Sequence, residues 1–293
     1  MAGMESPLSH AVIRNAVRFA LAGVLALGAA AASAQEAGGY RFSPVNQYGI
    51  NLTAAYWNPI IAYVSDKSGV KLQLKIGRTS ADTTSYVLAQ EVEFIFSNHL
   101  FSPERDKLGW KVFGRRKTAP VTGQIVVPAD SPITELAQLS GKAVGFAGPE
   151  ATVAYKFPYA HLLNNKIDVQ VVFGGNQDAA LAQLFAGKVQ AAGGNSQLIE
   201  GYSRRENKKV RVLWNSEPLH DLALMAVSKV PEKDVAAVGR AFFGMDKDPK
   251  GRDILHAAST QVGLTVDASF IPSDGSEYAA YRRFFQTAPP QLR

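Results

Sequence analysis

The residues whose types and spacing suit chemistry are polar side chains at strand-to-helix junctions. Lys142–Tyr159 (KAVGFAGPEATVAYKFPY) shows the pattern most fully. An apolar strand, Ala143–Phe146, runs into a turn with Gly148 and Pro149, and a helix starts near Ala151 or Thr152. Such a turn aims backbone N–H groups and the positive helix end at whatever lies beyond the strand. In open α/β sheets that is where ligands bind. Thr152 and Tyr155 sit on the first helical turn, and Thr152 suits either ligand contact or an N-cap. Glu150 favours the same helix end electrostatically. Asn98 and His99 follow the strand Glu93–Ser97, as a hydrogen-bonding pair for a polar ligand or as an Asn-stabilised turn. Asn176 and Asn195 each begin a helix after a strand, where capping and ligand contact are both open to them. Tyr48 and Tyr56 suit cleft walls, although Tyr56 lies at helix spacing and fits a core equally well.

This chemistry is binding rather than catalysis. The chain has no G-x-S-x-G, P-loop or G-x-G-x-x-G motif. Glu150 with His99 is the acid–base pair that can be constructed, and nothing in the sequence orients it. His99, His161, His220 and His256 have no paired spacing, so no metal site is expected. With no cysteine, thiolate chemistry and disulfides are excluded. No cofactor is implied.

The elements that must position these residues follow an α/β order. Tyr40–Val45 reads as a strand, Thr53–Ser65 as a helix with Pro59 in its first turns, and Val70–Ile76 as an alternating strand. A helix over Thr79–Gln90 and the strand Glu93–Ser97 complete a βαβ pattern, which implies parallel pairing. Strands Trp110–Gly114 and Gly123–Val127 come next, then a capped short helix over 131–136. A second α/β run has strands at Ala143–Phe146, Val169–Phe173, Val189–Ala192 and Val210–Trp214. Its helices are Thr152–Leu163, Asp178–Phe185 and Asn195–Tyr202. The strand Leu222–Val227 leads to helices at Pro231–Phe243, Asp248–Ala258 and Ser276–Phe285. If that tail returns to the first run, the fold is a two-lobe α/β protein. Lobe 1 is then 40–122 plus 222–293 and lobe 2 is 123–221, with a double-crossover hinge near Gly123 and Asp221. Such a body closes on a small ligand.

The front end reads as a signal peptide, residues 1–34. Arg14 and Arg18 precede the apolar run Phe19–Ala31, and Ala32-Ser33-Ala34 forms an A-x-A site. Cleavage after Ala34 removes Arg14, Arg18 and Glu5 and lowers the net charge from +6 to +5. A core, not disulfides, must hold an exported chain of this kind. Export and the lack of a nucleic-acid-binding motif exclude nucleic acid as a partner. The basic runs Arg115-Arg116-Lys117, Arg204-Arg205 and Lys208-Lys209 read as solvated loops and helix ends.

Several pieces, in this order and spacing, resemble the type II periplasmic solute-binding proteins of ABC transporters, in their phosphate/phosphite/phosphonate-binding (PhnD-like) branch. Ala55–Val64 (AYWNPIIAYV) looks like the family's first helix. Glu91–Phe101 (EVEFIFSNHLF) resembles its x-V-D-x-x strand and ligand-contacting turn. Leu136–Phe146 is similar to its DLKGK-x-V-x-F segment, Gly174–Ala182 to G-x-H-x-A-A, Gly187–Gly194 to G-x-V-D-A-G and Val210–Ser216 to its exit strand. The resemblance covers roughly 40–263. It implies a monomeric exported protein that captures a small polar or anionic ligand between two lobes for an inner-membrane ABC permease, without chemistry. A ligand-sensing subunit for a membrane signalling receptor is the alternative. The implied ligand contacts are Tyr48, Asn98, His99, Thr152, Tyr155, Asn176 and Asn195. The chain departs from the family where a Ser-Thr-Ser-Gly type loop becomes Glu150-Ala151-Thr152-Val153. Either Glu150 turns away or is paired, or the ligand is not a phosphonate dianion.

Overall fold

The computed structural model describes residues 38–293. The signal-peptide segment, 1–34, lies outside the described residues. Two sheets organise the fold. The first contains β1 (Tyr40–Pro44), β2 (Leu72–Leu74), β3 (Phe94–Ser97), β4 (Trp110–Lys117), β10 (Ala223–Val227) and β11 (Ser269–Pro272). Its order is β11-β4-β10-β3-β1-β2. The second contains β5 (Gly123–Pro128), β6 (Ala143–Phe146), β7 (Gln170–Phe173), β8 (Ala191–Asn195) and β9 (Val210–Asn215). Its order is β7-β6-β8-β5-β9.

Each sheet carries the same core of three parallel strands. In the first, β1 pairs with both β2 and β3. In the second, β6 pairs with both β7 and β8. The parallel pairing expected from the βαβ order is thus present, and antiparallel strands complete both sheets: β10 against β3, and β5 against β8. All four residues of β3, FIFS, are buried, as a strand covered on both faces requires.

Helices cover the sheets. The first, α1 (Ile50–Ser68), lays Trp57 onto Phe42 and Phe96, with ring centroids 5.0 Å apart in each case. Next come α2 (Ser80–Leu88) and the single turn α3 (Pro103–Asp106). On the second sheet lie α4 (Phe157–Asn164), α5 (Gln177–Phe185) and α6 (Ser196–Arg205). The tail supplies α7 (Glu232–Gly244), α8 (Pro249–Gln261) and α9 (Ala279–Thr287). It returns to the first sheet, where Phe242 of α7 packs on Phe42 and on Phe270 of β11.

Several expectations need correction. Helix α1 starts three residues earlier than its apolar spacing suggested, so Pro59 lies mid-helix. It is tolerated because Pro59 and Ala55, whose carbonyl loses its donor, are both exposed to water. The segment 131–136 is not a helix. Ser131 Oγ accepts from the Ile133 amide in a turn, and a 3₁₀ turn forms at Leu136–Leu139. The strand expected at Val189–Ala192 runs from Ala191 to Asn195 instead, through two glycines. Gly193 is required there, because a Cβ would lie 2.3 Å from a ring carbon of Phe146. The helix expected at Thr152–Leu163 opens with a π turn, Thr152–Lys156. Pro158 has no N–H to close the α bond to Ala154, which suits the wider register before it. β11 and α3 are not among the elements the sequence implies.

Two segments cross between the sheets, 118–122 and 216–222. They pair through an isolated antiparallel bridge, Val121 with Leu219, whose two backbone hydrogen bonds are each 2.8 Å.

Candidate functional site

The carboxyl ends of the parallel strands of both sheets converge on one cavity of about 50 Å³. On a water-probe scale a single water needs roughly 10–15 Å³, so this holds a group of about three to five non-hydrogen atoms. From the first sheet, the turn after β1 contributes Val45, Asn46 and Gln47, the start of α2 contributes Ser80, and the turn after β3 contributes Asn98 and His99. From the second, the segment after β6 contributes Ala147 and 151–154, the start of α5 contributes Gln177, and the end of β8 contributes Asn195. Leu198 and Leu222 complete an apolar side.

Local sequence explains this convergence. Thr79 and Asp82 form a reciprocal capping box that fixes the start of α2 beside the cavity. Asn195 Oδ1 accepts from the Gln197 amide and caps α6. Gln177 Nε2 donates to the Gly193 carbonyl while its Oε1 accepts from the Asn195 amide, which locks the starts of α5 and α6 together. The amides of 152–154 stand at the open end of the π turn, whose first internal bonds come from Tyr155 and Lys156 to the Ala151 carbonyl. Several helix starts therefore point their partial positive charge at one spot.

Ser80, Asn195 and His99 are 5%, 4% and 6% exposed, and all three line the cavity. These groups keep a face toward the cavity, where they can bond whatever occupies it. His99 Nδ1 is held by Thr84 Oγ1 at 3.2 Å. Burial drives the imidazole down to about pKa 3 against the upward pull of Glu150, with Arg105 and Lys156 adding to the fall. It is neutral at ordinary pH. Among the described residues that line the cavity there is no Lys, Arg, Asp or Glu.

Charge lies one layer out and is paired. Glu150 accepts from Arg105 Nη1 at 2.7 Å and stands 3.7 Å from Lys156 Nζ. Burial alone would raise its carboxyl, but the hydrogen bond and charge of Arg105, with help from Lys156, hold it below the ordinary carboxylate range. At the crossings, Arg116 is fully buried and donates to Asp221 Oδ2 at 2.6 Å. The basic run was expected to be solvated. Arg116 instead lies in β4 with its guanidinium over the Phe96 ring and with longer bonds to Tyr56, Gln47 and Gln197.

Four residues singled out in the sequence line the cavity: Asn98, His99, Thr152 and Asn195. Thr152 is not an N-cap; its hydroxyl donates across to the Asn98 carbonyl at 3.3 Å. Three others lie outside it. Tyr48 is buried beside Tyr56, with its hydroxyl unpaired and the Arg205 guanidinium 5.6 Å from its ring. Tyr155 packs into an aromatic cluster, stacked on Tyr159 at 5.3 Å. Asn176 caps α5 through the Ala179 amide. Tyr56, left open between wall and core, is core. Asn46, Gln47, Ser80 and Gln177 were missed, although each stands after a strand or at a helix start, the signal that found the others.

A family model described as the periplasmic substrate-binding protein of an ABC phosphonate transporter matches residues 44–278. A comparison with curated proteins finds no match. Among solved structures, a binding-protein component of an ABC phosphonate transporter from Pseudomonas aeruginosa superposes with a TM-score of 0.71 at 15% identity, covering 84% of this chain and 86% of that one. PhnD1 from Prochlorococcus marinus in complex with methylphosphonate gives 0.70 at 13% identity, covering 84% and 97%. The aliphatic sulphonate binding protein SsuA from Escherichia coli gives 0.56 at 14%, covering 84% and 90%. These likenesses establish the fold, a two-sheet type II periplasmic-binding-protein architecture.

Proposed function

We propose, from the premise that this chain belongs to the periplasmic substrate-binding proteins of ABC phosphonate transporters, that it captures a compact phosphonate-like oxyanion in the cavity between its two sheets. The carrying observation is that strand ends from both sheets meet at one cavity lined by neutral hydrogen-bonding side chains. Asn98, His99, Thr152 and Asn195 are the assigned contacts, joined by Gln47, Ser80, Gln177 and the amides of 152–154. Tyr48, Tyr155 and Asn176 are assigned to packing and capping. The oxygens accept from these donors and from the helix starts, and the ligand's apolar substituent faces Leu198 and Leu222.

The lobes in this reading are 40–122 with 222–293, and 123–221. The membership of the two sheets and the bridge between the crossings support that division. The protein acts as a monomer in the periplasm after cleavage at Ala34, hands its ligand to a membrane permease and performs no chemistry. His99 and Glu150 are not an acid–base pair here, because Glu150 is committed to Arg105.

Titration calorimetry and thermal shift with methylphosphonate, phosphite, phosphate and small organic acids test this. A ligand at 100 times its Kd stabilises the protein by about 2.7 kcal/mol. Asn195→Ala and Ser80→Ala should each weaken binding without unfolding the chain. No shift with any oxyanion would remove the proposal.

A further inference from the structure

The rim of the cavity carries an ion pair that joins the two sheets. Arg105 lies on α3, on the side of the first sheet, and Glu150 lies in the turn after β6 of the second. One guanidinium nitrogen, Nη1, donates both to the His99 carbonyl at 2.8 Å and to Glu150 Oε2 at 2.7 Å. His99 lines the cavity, and Ala151 and Thr152, which directly follow Glu150, line its other side. The pair is therefore one residue removed from the cavity wall on both sheets.

Other contacts at this rim point the same way. Lys156 stands 3.7 Å from Glu150 and lies 5.0 Å over the ring of Phe285, so it too bridges from the π turn to the tail helix α9. Thr152 Oγ1 reaches the Asn98 carbonyl, and the Ser80 amide donates to the Gly175 carbonyl at 3.0 Å. Gly148 leaves room for Ser80, whose Oγ would be 2.5 Å from a Cβ there. The backbones of the two sides meet closely, and Arg105 with Glu150 adds an ion pair across them. With side chains 18% and 23% exposed, the pair is partly shielded from water, so its attraction exceeds that of an ordinary surface pair.

We propose that Arg105 and Glu150 form an electrostatic latch that holds the cleft shut and sets how long a ligand stays. Its bearing on residence time rests on the cavity being the ligand site; its bearing on closure does not. Breaking a contact made only in the closed form speeds release more than it slows capture.

The test uses the full mature chain and two readouts. Stopped-flow release of methylphosphonate should be roughly five- to tenfold faster in Arg105→Gln and in Glu150→Gln, with the association rate changed less than twofold. The double variant should release no faster than either single one, because both remove the same contact. Arg105→Lys should recover part of the wild-type residence time. Independently of any ligand, X-ray scattering should show a larger radius of gyration for both single variants, and for wild type in 1 M NaCl against 0.05 M, with the salt effect lost in Glu150→Gln. Expansion in the variants upholds the latch even if no panel member binds, in which case the binding reading fails alone. Unchanged release and unchanged dimensions overturn the latch while leaving the cavity assignment standing. Release effects that multiply in the double variant also overturn it, since the two residues would then act separately.

Discussion

Replacing Asp221 with alanine tests the physical account of the crossings most directly. Arg116 and Asp221 are 0% and 1% exposed at the side chain, 2.6 Å apart. Asp221 Oδ2 also accepts from Thr118 Oγ1 at 3.3 Å, and the charge pair holds the Arg116 guanidinium well above its ordinary range against the opposing effect of burial. In Asp221→Ala the guanidinium keeps bonds of 3.4–3.5 Å to Tyr56, Gln47 and Gln197, all neutral. Orphaning one partner of a buried pair costs about 3–5 kcal/mol. For a body of this size each kcal/mol lowers Tm by about 2–4 °C, so a fall on the order of 6–20 °C is expected. Urea and thermal unfolding followed by circular dichroism measure it. The double replacement Arg116→Met with Asp221→Leu removes both charges while keeping bulk, and should cost far less than the single one. A loss under about 1 kcal/mol in Asp221→Ala, or a double variant as unstable as the single, would refute the reasoning.

Stability should fall in acid through His99. Its folded pKa of about 3 lies below the ordinary 6.5, so between these values the unfolded chain binds the extra proton and stability rises with pH. The slope is up to about 1.4 kcal/mol per pH unit, lost as pH drops from 6.5, and His99→Gln should flatten it in urea titrations at stepped pH. Glu150, held low by Arg105 despite burial, adds a loss below the ordinary carboxylate range that Glu150→Gln should remove. Gly193→Ala should destabilise by about 1–3 kcal/mol, since its Cβ would meet both the Phe146 ring and, at 2.8 Å, the Ala154 carbonyl. Thr152→Val keeps shape but loses the bond to the Asn98 carbonyl; calorimetry should show weaker ligand binding and a stability loss of about 0.5–1.5 kcal/mol.

The elements with strong local signatures were legible in the sequence. The strand at Ala143–Phe146 has the bounds its apolar run implied, because β6 is buried by neighbours on both sides. The junction rule also singles out Asn98, His99, Thr152 and Asn195, which the structure places around the cavity. What stayed hidden depends on long-range partners. Arg116 carries no local sign of burial; its environment is made by Asp221, 105 positions away. The four-residue strand β11 is defined by pairing with β4. Tyr155, which position alone puts beside Thr152, lies outside the cavity, where the wider π turn and the stack on Tyr159 place it in an aromatic cluster. Gln177 was passed over because its value comes from bridging two helix starts, a relation invisible in one window of sequence.

Glu150 shows how a structure changes the meaning of a residue. Read alone, a carboxylate at the mouth of an anion site is an obstacle. At a separation of about 6 Å and an effective dielectric near 20, an unpaired carboxylate repels a monoanion by about 3 kcal/mol. Here the charge is already compensated by Arg105 at 2.7 Å and Lys156 at 3.7 Å. The same pattern recurs around the cavity, with Arg116 on Asp221 and Arg205 on Asp178 at 2.8 Å. These cations are engaged by carboxylates, and none of them lines the cavity. In the proposed reading an anion is recognised by uncharged donors and helix starts, through a shape-defined set of hydrogen bonds. The ion pair at the rim joins the side of the first sheet to the turn after β6 of the second. The departure from a hydroxyl-rich loop therefore does not argue against an anionic ligand. Under the proposed latch, the carboxylate that read as an obstacle serves closure instead.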